Sequence, residues 1–179
     1  MKRLNTKNIS RIGALSAAAF ILQLLGSVIG LKVGGFLEIE ISDLPALIGT
    51  FAMGPAAGVI IELVKNVLHC AITSTGFVGE FANFVVNGIF VLVAGLIYKR
   101  VRTRRGAALG MTAAVFAMTV AGVVTNLYIM LPLYMPTADF GTKLSLVLST
   151  ITPFNLCKGA ALSLITFLSY KKLKPIIMR

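Results

Sequence analysis

Asn155 and Lys158 stand three residues apart in "TPFNLCKG", at the start of the last long apolar run of the chain. Residues three apart share one face of a helix, so an amide and an ammonium group would project together from a segment otherwise made for hydrocarbon. An ammonium group taken out of water needs acceptors, and no acidic residue lies near it in sequence. The pair is suited to donate hydrogen bonds to a carbonyl-rich ligand; snorkelling of the lysine to a membrane surface is the structural alternative. Pro153 suits the first turn of a helix, whose free N–H groups would add an acceptor-binding end. Other polar residues follow the same period. Glu62, Lys65, Asn66 and His69 fall at offsets 0, 3, 4 and 7, and Glu80, Asn83 and Asn87 at 0, 3 and 7. Ser42 and Asp43 open one apolar run, and Thr125, Asn126 and Tyr128 lie near the end of another. Each has a plain structural use. Glu62 and Lys65 can neutralise each other, His69 can pack through a hydrogen bond, Glu80 can cap its helix, and Asn87 can bond a neighbouring helix.

Other chemistries lack their residues. The chain contains no H-E-x-x-H, no G-x-S-x-G and no clustered metal ligands, so no catalytic residue and no metal site is expected, and the protein is not read as an enzyme. Without a G-x-x-x-x-G-K-[ST] loop it carries no nucleotide-driven motor of its own. Cys70 and Cys157 form neither a C-x-x-C pair nor a zinc spacing, and are expected to be packed thiols.

The elements that position these residues are membrane helices. Of 179 residues 57% are hydrophobic and only 13% charged, with a mean hydropathy of +0.91. The apolar residues come in blocks close to the roughly 20 needed to cross hydrocarbon. The reading is an all-α membrane protein of one domain over 1–179, with six transmembrane helices at about 12–31, 41–53, 56–72, 80–98, 107–131 and 153–170. The first run follows a basic start, as in a signal peptide, but it is long and lacks a clear cleavage site, so it is kept as a helix. The second is too short to span untilted and is expected to be broken or packed inside the bundle. The net charge of +11 would suggest nucleic acid in a soluble protein. Here most of the basic residues lie before the first run, within 99–105 and after the last run, so they signal topology and no nucleic-acid partner is expected. Six spans put all three clusters, and both termini, on the cytoplasmic side.

With that orientation Asp43, Asn66, His69, Glu80, Asn83, Asn126, Asn155 and Lys158 fall in the outer half of the bilayer, and the inner half is nearly free of polar groups. That is a cup open to the outside, whereas a channel needs a polar path through both halves. Phe36, Phe77, Phe81, Phe84, Tyr128, Tyr134 and Phe154 lie at matching depth, as walls for a small organic ligand or as interface anchors. The outer connections are expected at 32–41, 73–79 and 132–152. In the first, "KVGGFLEIEI" alternates apolar and acidic residues as a strand does, which fits a lid over the site or a plain connecting hairpin.

The runs "EISDLPALIGTFAMGPAAGVIIELVKNVLH", "GFVGEFANFVVNGIFVLVAGLIYKR", "NLYIMLPLYMP" and "ITPFNLCKG", in that order, resemble the substrate-binding S components of energy-coupling factor (ECF) transporters, and within them the riboflavin-specific group. The resemblance covers roughly residues 10–170. It implies a multi-pass protein of the bacterial cell membrane that captures riboflavin at the outer face, as transported ligand and not as cofactor. It also implies an ECF transmembrane coupling subunit and two cytoplasmic ATPase subunits as partners. By motif, Asn126, Asn155 and Lys158 would hold the isoalloxazine ring. The segment Phe36 to Asp43, with Leu37 and Ile41, would close over the ligand, and Glu80, Asn83 and Tyr128 would complete the site. Ala14 and Ala18 supply the A-x-x-x-A spacing of the coupling-subunit surface, a spacing that also suits ordinary close helix packing. Another vitamin, such as a pyridoxine or thiamine precursor, keeps the architecture and changes the ligand. A proton-coupled carrier using Glu62, Lys65 and His69, or a membrane scaffold that binds nothing, are the readings from other classes.

Overall fold

A computed structural model describes residues 6–29, 32–33, 37–38, 41–73 and 77–177. The described residues form six helical rods. The first is α1 (Thr6–Ile29), followed by a hairpin of β1 (Lys32–Val33) and β2 (Leu37–Glu38), paired antiparallel with Lys32 opposite Glu38 and Val33 opposite Leu37. Then come α2 (Leu44–Met53), α3 (Pro55–His69) and α4 (Val78–Arg100). The fifth rod is α5 (Arg104–Thr125), carried on by a π-helical turn (Asn126–Met130) into α6 (Leu131–Tyr134). The sixth is α7 (Phe140–Leu146), a second π-helical turn (Val147–Ile151) and α8 (Thr152–Ile177). Four of the rods contain stretches long and apolar enough to cross a membrane, at Thr6–Val28, Val78–Arg100, Arg104–Tyr134 and Phe140–Ser169.

The all-helical class and the six rods agree with the sequence, but their lengths differ instructively. α2 has 10 residues and α3 has 15, about 15 and 22 Å at 1.5 Å per residue. They fold on each other at Gly54, whose φ of 106° lies in the region open to glycine, and Pro55 starts α3 directly. As expected for so short a segment, α2 is packed inside, burying Ala46, Leu47, Thr50 and Phe51.

The connection expected over 132–152 is the main correction. Only 135–139 separates the last two rods, and Pro153 lies inside a helix that began at Phe140. Pro153 therefore opens no helix, and the free N–H end expected there does not exist. A proline inside a helix removes one hydrogen bond and crowds the preceding turn. Here each π-helical turn lies just ahead of a proline, Pro132 or Pro153, and widens the helix where that bond is lost. Thr152 Oγ1 donates to the carbonyl of Val147 at 2.9 Å across the second.

The main core joins Ile12, Ala19, Leu47, Phe51, Ile61, Phe90, Val91, Met111, Met118 and Leu162, with Phe51 edge-on to Tyr98 at 4.9 Å between centroids. A smaller cluster of Leu127, Leu131, Val147 and Ile151 lies between the π-helical turns. The Arg104 guanidinium sits 5.4 Å from the centre of the Phe167 ring, bringing the start of α5 and the late part of α8 to one end of the bundle. Val28, Leu109, Phe116, Val120, Leu164 and Leu168 are exposed. On a soluble protein that would be an adhesive surface; on these rods it is the face turned to lipid.

Candidate functional site

The buried charges gather at the end of the bundle where α2 begins and α3 ends. Asp43 directly precedes α2, and its carboxylate spans two lysines: Oδ1 lies 2.5 Å from Lys65 Nζ and Oδ2 lies 2.9 Å from Lys158 Nζ. Lys65 also lies 2.7 Å from Glu62 Oε2 and donates to Ser42 Oγ at 3.1 Å. The side chains of Asp43, Glu62 and Lys65 are fully buried, and that of Lys158 is 9% exposed. The acceptor absent from the neighbourhood of Lys158 in sequence is thus Asp43, brought from the start of α2. The pairing of Glu62 with Lys65 is as their spacing indicated, with Asp43 added.

A second tie lies alongside. His69 Nδ1 and Glu80 Oε1 are 2.9 Å apart, joining the end of α3 to the first turn of α4. Glu80 therefore links two helices instead of only facing the dipole of its own. Asn87 donates to Asn83 Oδ1 at 3.0 Å within α4, where a neighbouring helix was the expected partner. Asn66 likewise turns back on its own helix and donates to the carbonyl of Glu62 at 2.8 Å.

Asn126 and Asn155 both lie against Gly122. The Asn126 amide donates to the Gly122 carbonyl at 2.8 Å, and the Asn155 amide packs so closely against the Gly122 backbone that a Cβ there would collide with it. Both asparagines are buried. Asn155 and Lys158 then share a face of α8, one turn apart. Two amides from adjacent rods and one ammonium group are thereby gathered at the same end. Such donors suit ring carbonyls.

Other expected members fall elsewhere. Tyr128 is 67% exposed. Two residues beyond Asn126 places it on nearly the opposite side of the helix, so it leaves the set. Phe77, Phe81 and Tyr134 are also exposed, in keeping with interface anchors. Ile41 is exposed at the entry to α2, Leu37 lies in β2 of the hairpin, and Phe36 falls outside the described residues. Cys157 is exposed and Cys70 half-buried, so the expectation of two packed thiols fails at Cys157. An open groove of about 580 Å³ is lined by Asp139, Gly141, Thr142, Ser145, Leu146 and Ser149, and shares no residue with the constellation. Nothing local in the chain signals the Asp43–Lys158 pair, whereas Pro132 and Pro153, within largely apolar stretches, are a signal for the π-helical turns.

Residues 7–170 match the family model for the substrate-specific component of ECF transporters. The chain belongs to the ECF transporter S components. It is a transporter component and not an enzyme. The riboflavin transporter RibU of Staphylococcus aureus (strain TCH60) is 36% identical over 177 residues, covering 97% of this chain and 93% of that protein. The riboflavin transporter FmnP of Bacillus subtilis (strain 168) is 32% identical over 183 residues, covering 97% and 95%. The fold agrees with that of a solved structure described as the S component of a bacterial ECF transporter. The TM-score is 0.82, with 34% sequence identity over 97% of this chain and 98% of the other. The gathered polar end and the apolar exterior are thus features of an S component, a membrane protein.

Proposed function

We propose that this S component binds riboflavin at the outer face of the bacterial cell membrane and delivers it for uptake. Similarity along nearly the whole chain to two proteins called riboflavin transporters carries the reading, and the donor set agrees with it. Asn126, Asn155 and Lys158 donate to the ring carbonyls and nitrogens of the isoalloxazine, Asp43 orients Lys158, and Glu80 and Asn83 brace the wall from α4. The segment Phe36 to Asp43, with Leu37 and Ile41, closes over the ligand.

The whole chain acts as one membrane domain with both termini cytoplasmic, as its basic clusters favour. It works with an ECF transmembrane coupling subunit driven by two cytoplasmic ATPase subunits. The coupling surface lies on α1. Ala14 is exposed and Ala18 half-buried, and Gly13 and Ala17 leave the same stretch of helix low enough for another helix to approach closely.

Protein purified in detergent should carry flavin absorbance or quench the fluorescence of added riboflavin. Asn155→Ala and Lys158→Ala should each weaken binding by about 1.5–3 kcal/mol, the usual worth of a hydrogen bond to a charged group and an upper range for the amide. Quenching by a pyridoxine or thiamine precursor with none by riboflavin would move the ligand to another vitamin. Unchanged riboflavin affinity in both variants would remove the two residues from the site.

A further inference from the structure

We propose that the Asp43–Glu62–Lys65–Lys158 cluster sets the charge preference of the site, cancelling both ammonium groups so that an uncharged flavin is selected over its phosphate ester. This rests on the riboflavin reading above and adds to it a specificity device in which Asp43, Glu62 and Lys65 act on Lys158 and need not touch the ligand themselves.

The cluster is a chain of alternating charge. Lys158 pairs with Asp43, Asp43 with Lys65, and Lys65 with Glu62, at 2.9, 2.5 and 2.7 Å. With all four groups ionised, two cations and two anions leave no net charge. Lys158 is the member one turn from Asn155 and the least buried of the four. Alone, its ammonium group would project a positive potential into a site of low dielectric, where Coulomb interactions are strong and reach far. Such a site would draw a phosphate. Asp43 removes that potential at its source, but a single carboxylate shared by two lysines would leave an excess positive charge. Glu62 supplies the missing negative charge from one turn before Lys65. The geometry of Asp43 fits this use. It stands at the N-cap of α2, where a carboxylate ordinarily accepts from the helix backbone, yet it makes no side-chain cap hydrogen bond and gives its oxygens to the two lysines.

The test compares the dissociation constants of riboflavin and of riboflavin 5′-phosphate by fluorescence quenching in detergent, and reads their ratio. The wild-type protein should favour riboflavin. Glu62→Gln leaves the Asp43 bridge in place and raises the net charge by one, so it should move the ratio toward the phosphate ester by about tenfold. Asp43→Asn should move it in the same direction and by more, being adjacent to Lys158. Glu62→Gln with Lys65→Gln restores neutrality and should return the ratio to near the wild-type value. A purely structural cluster would weaken both ligands alike and leave the ratio fixed, and that result in folded Glu62→Gln would overturn the proposal. So would a wild-type protein that prefers the phosphate ester, a measurement that needs no variant to fold. A wild-type protein that binds neither flavin would instead sink the riboflavin reading, and the proposal with it.

Discussion

Around Phe51, Phe90, Tyr98, Met111 and Met118 the rods meet through apolar contact, while at the opposite end of α3 they meet through charge. All the described residues that are both charged and buried, namely Asp43, Glu62, Lys65 and Glu80, belong to the charged end. The difference follows from the solvent. Lipid tails are as apolar as leucine side chains, so apolar surface gains little by leaving lipid for a neighbouring helix, and close packing and polar ties must supply the specificity. The apolar body can be built from many combinations of similar volume. The charged end depends on pairing particular charges, and it ties α8 to α2 and α3, from which α8 is far apart in sequence. An S component needs a defined recognition end and a body that fits the bilayer. These rods assign the two demands to opposite ends of the same helices.

The sharpest way to break this contrast is Lys65→Met. Methionine fills similar space but strands Asp43 and Glu62 near each other with Lys158 as the one remaining cation beside them among the described residues. Removing one partner of a buried ionic group costs about 3–5 kcal/mol, because the charge left behind has lost its compensation. Thermal unfolding in detergent should show a large fall in midpoint for Lys65→Met, much of it recovered by adding Glu62→Gln. A midpoint close to wild type in the single variant would mean that the charged end does not hold the bundle together.

Much of this division was legible from the chain. The helix count, the packing of α2 inside the bundle and the identity of the polar residues all follow from period and depth. Positions 62 and 65 face each other because they are one turn apart, which is local information. The pairing of Asp43 with Lys158 is not local, since it depends on how α2 and α8 cross, and nothing in either segment encodes the other's register. The extent of the last two rods departs from the sequence expectation for another reason. Pro153 reads as the start of a helix and the run before it as ending near 131, because proline usually marks a helix boundary, but a π-helical turn can absorb the lost bond and let the rod continue. Depth alone groups Tyr128 with Asn126, and the angle around the helix separates them.

Gly122 sharpens the comparison at the junction of the recognition end with the body. Its missing side chain is what lets the Asn155 amide lie against α5. Gly122→Val would push that amide aside and force α5 and α8 apart, a cost of about 1–3 kcal/mol for an overpacked contact. Riboflavin affinity should fall by an amount similar to that in Asn155→Ala, and the double variant should be little worse than either alone, because the two changes remove the same contact. Fully additive losses would show that Asn155 contributes to binding without its seat on Gly122.

The smallest effect is expected where the apolar body ends. Thr103 caps α5, with its hydroxyl oxygen accepting from the Gly106 N–H at 3.1 Å, and it sits in the short turn that joins α4 to α5. Thr103→Ala removes one cap bond and should cost about 1 kcal/mol of stability. The turn lies at the far ends of α4 and α5 from Glu80 and Asn126, so no ligand contact depends on it. Flavin affinity should stay at the wild-type value while the unfolding midpoint drops slightly. A change in affinity from so distant a cap would show that the rods transmit strain along their length, and the separation of a recognition end from a packing body would then no longer hold.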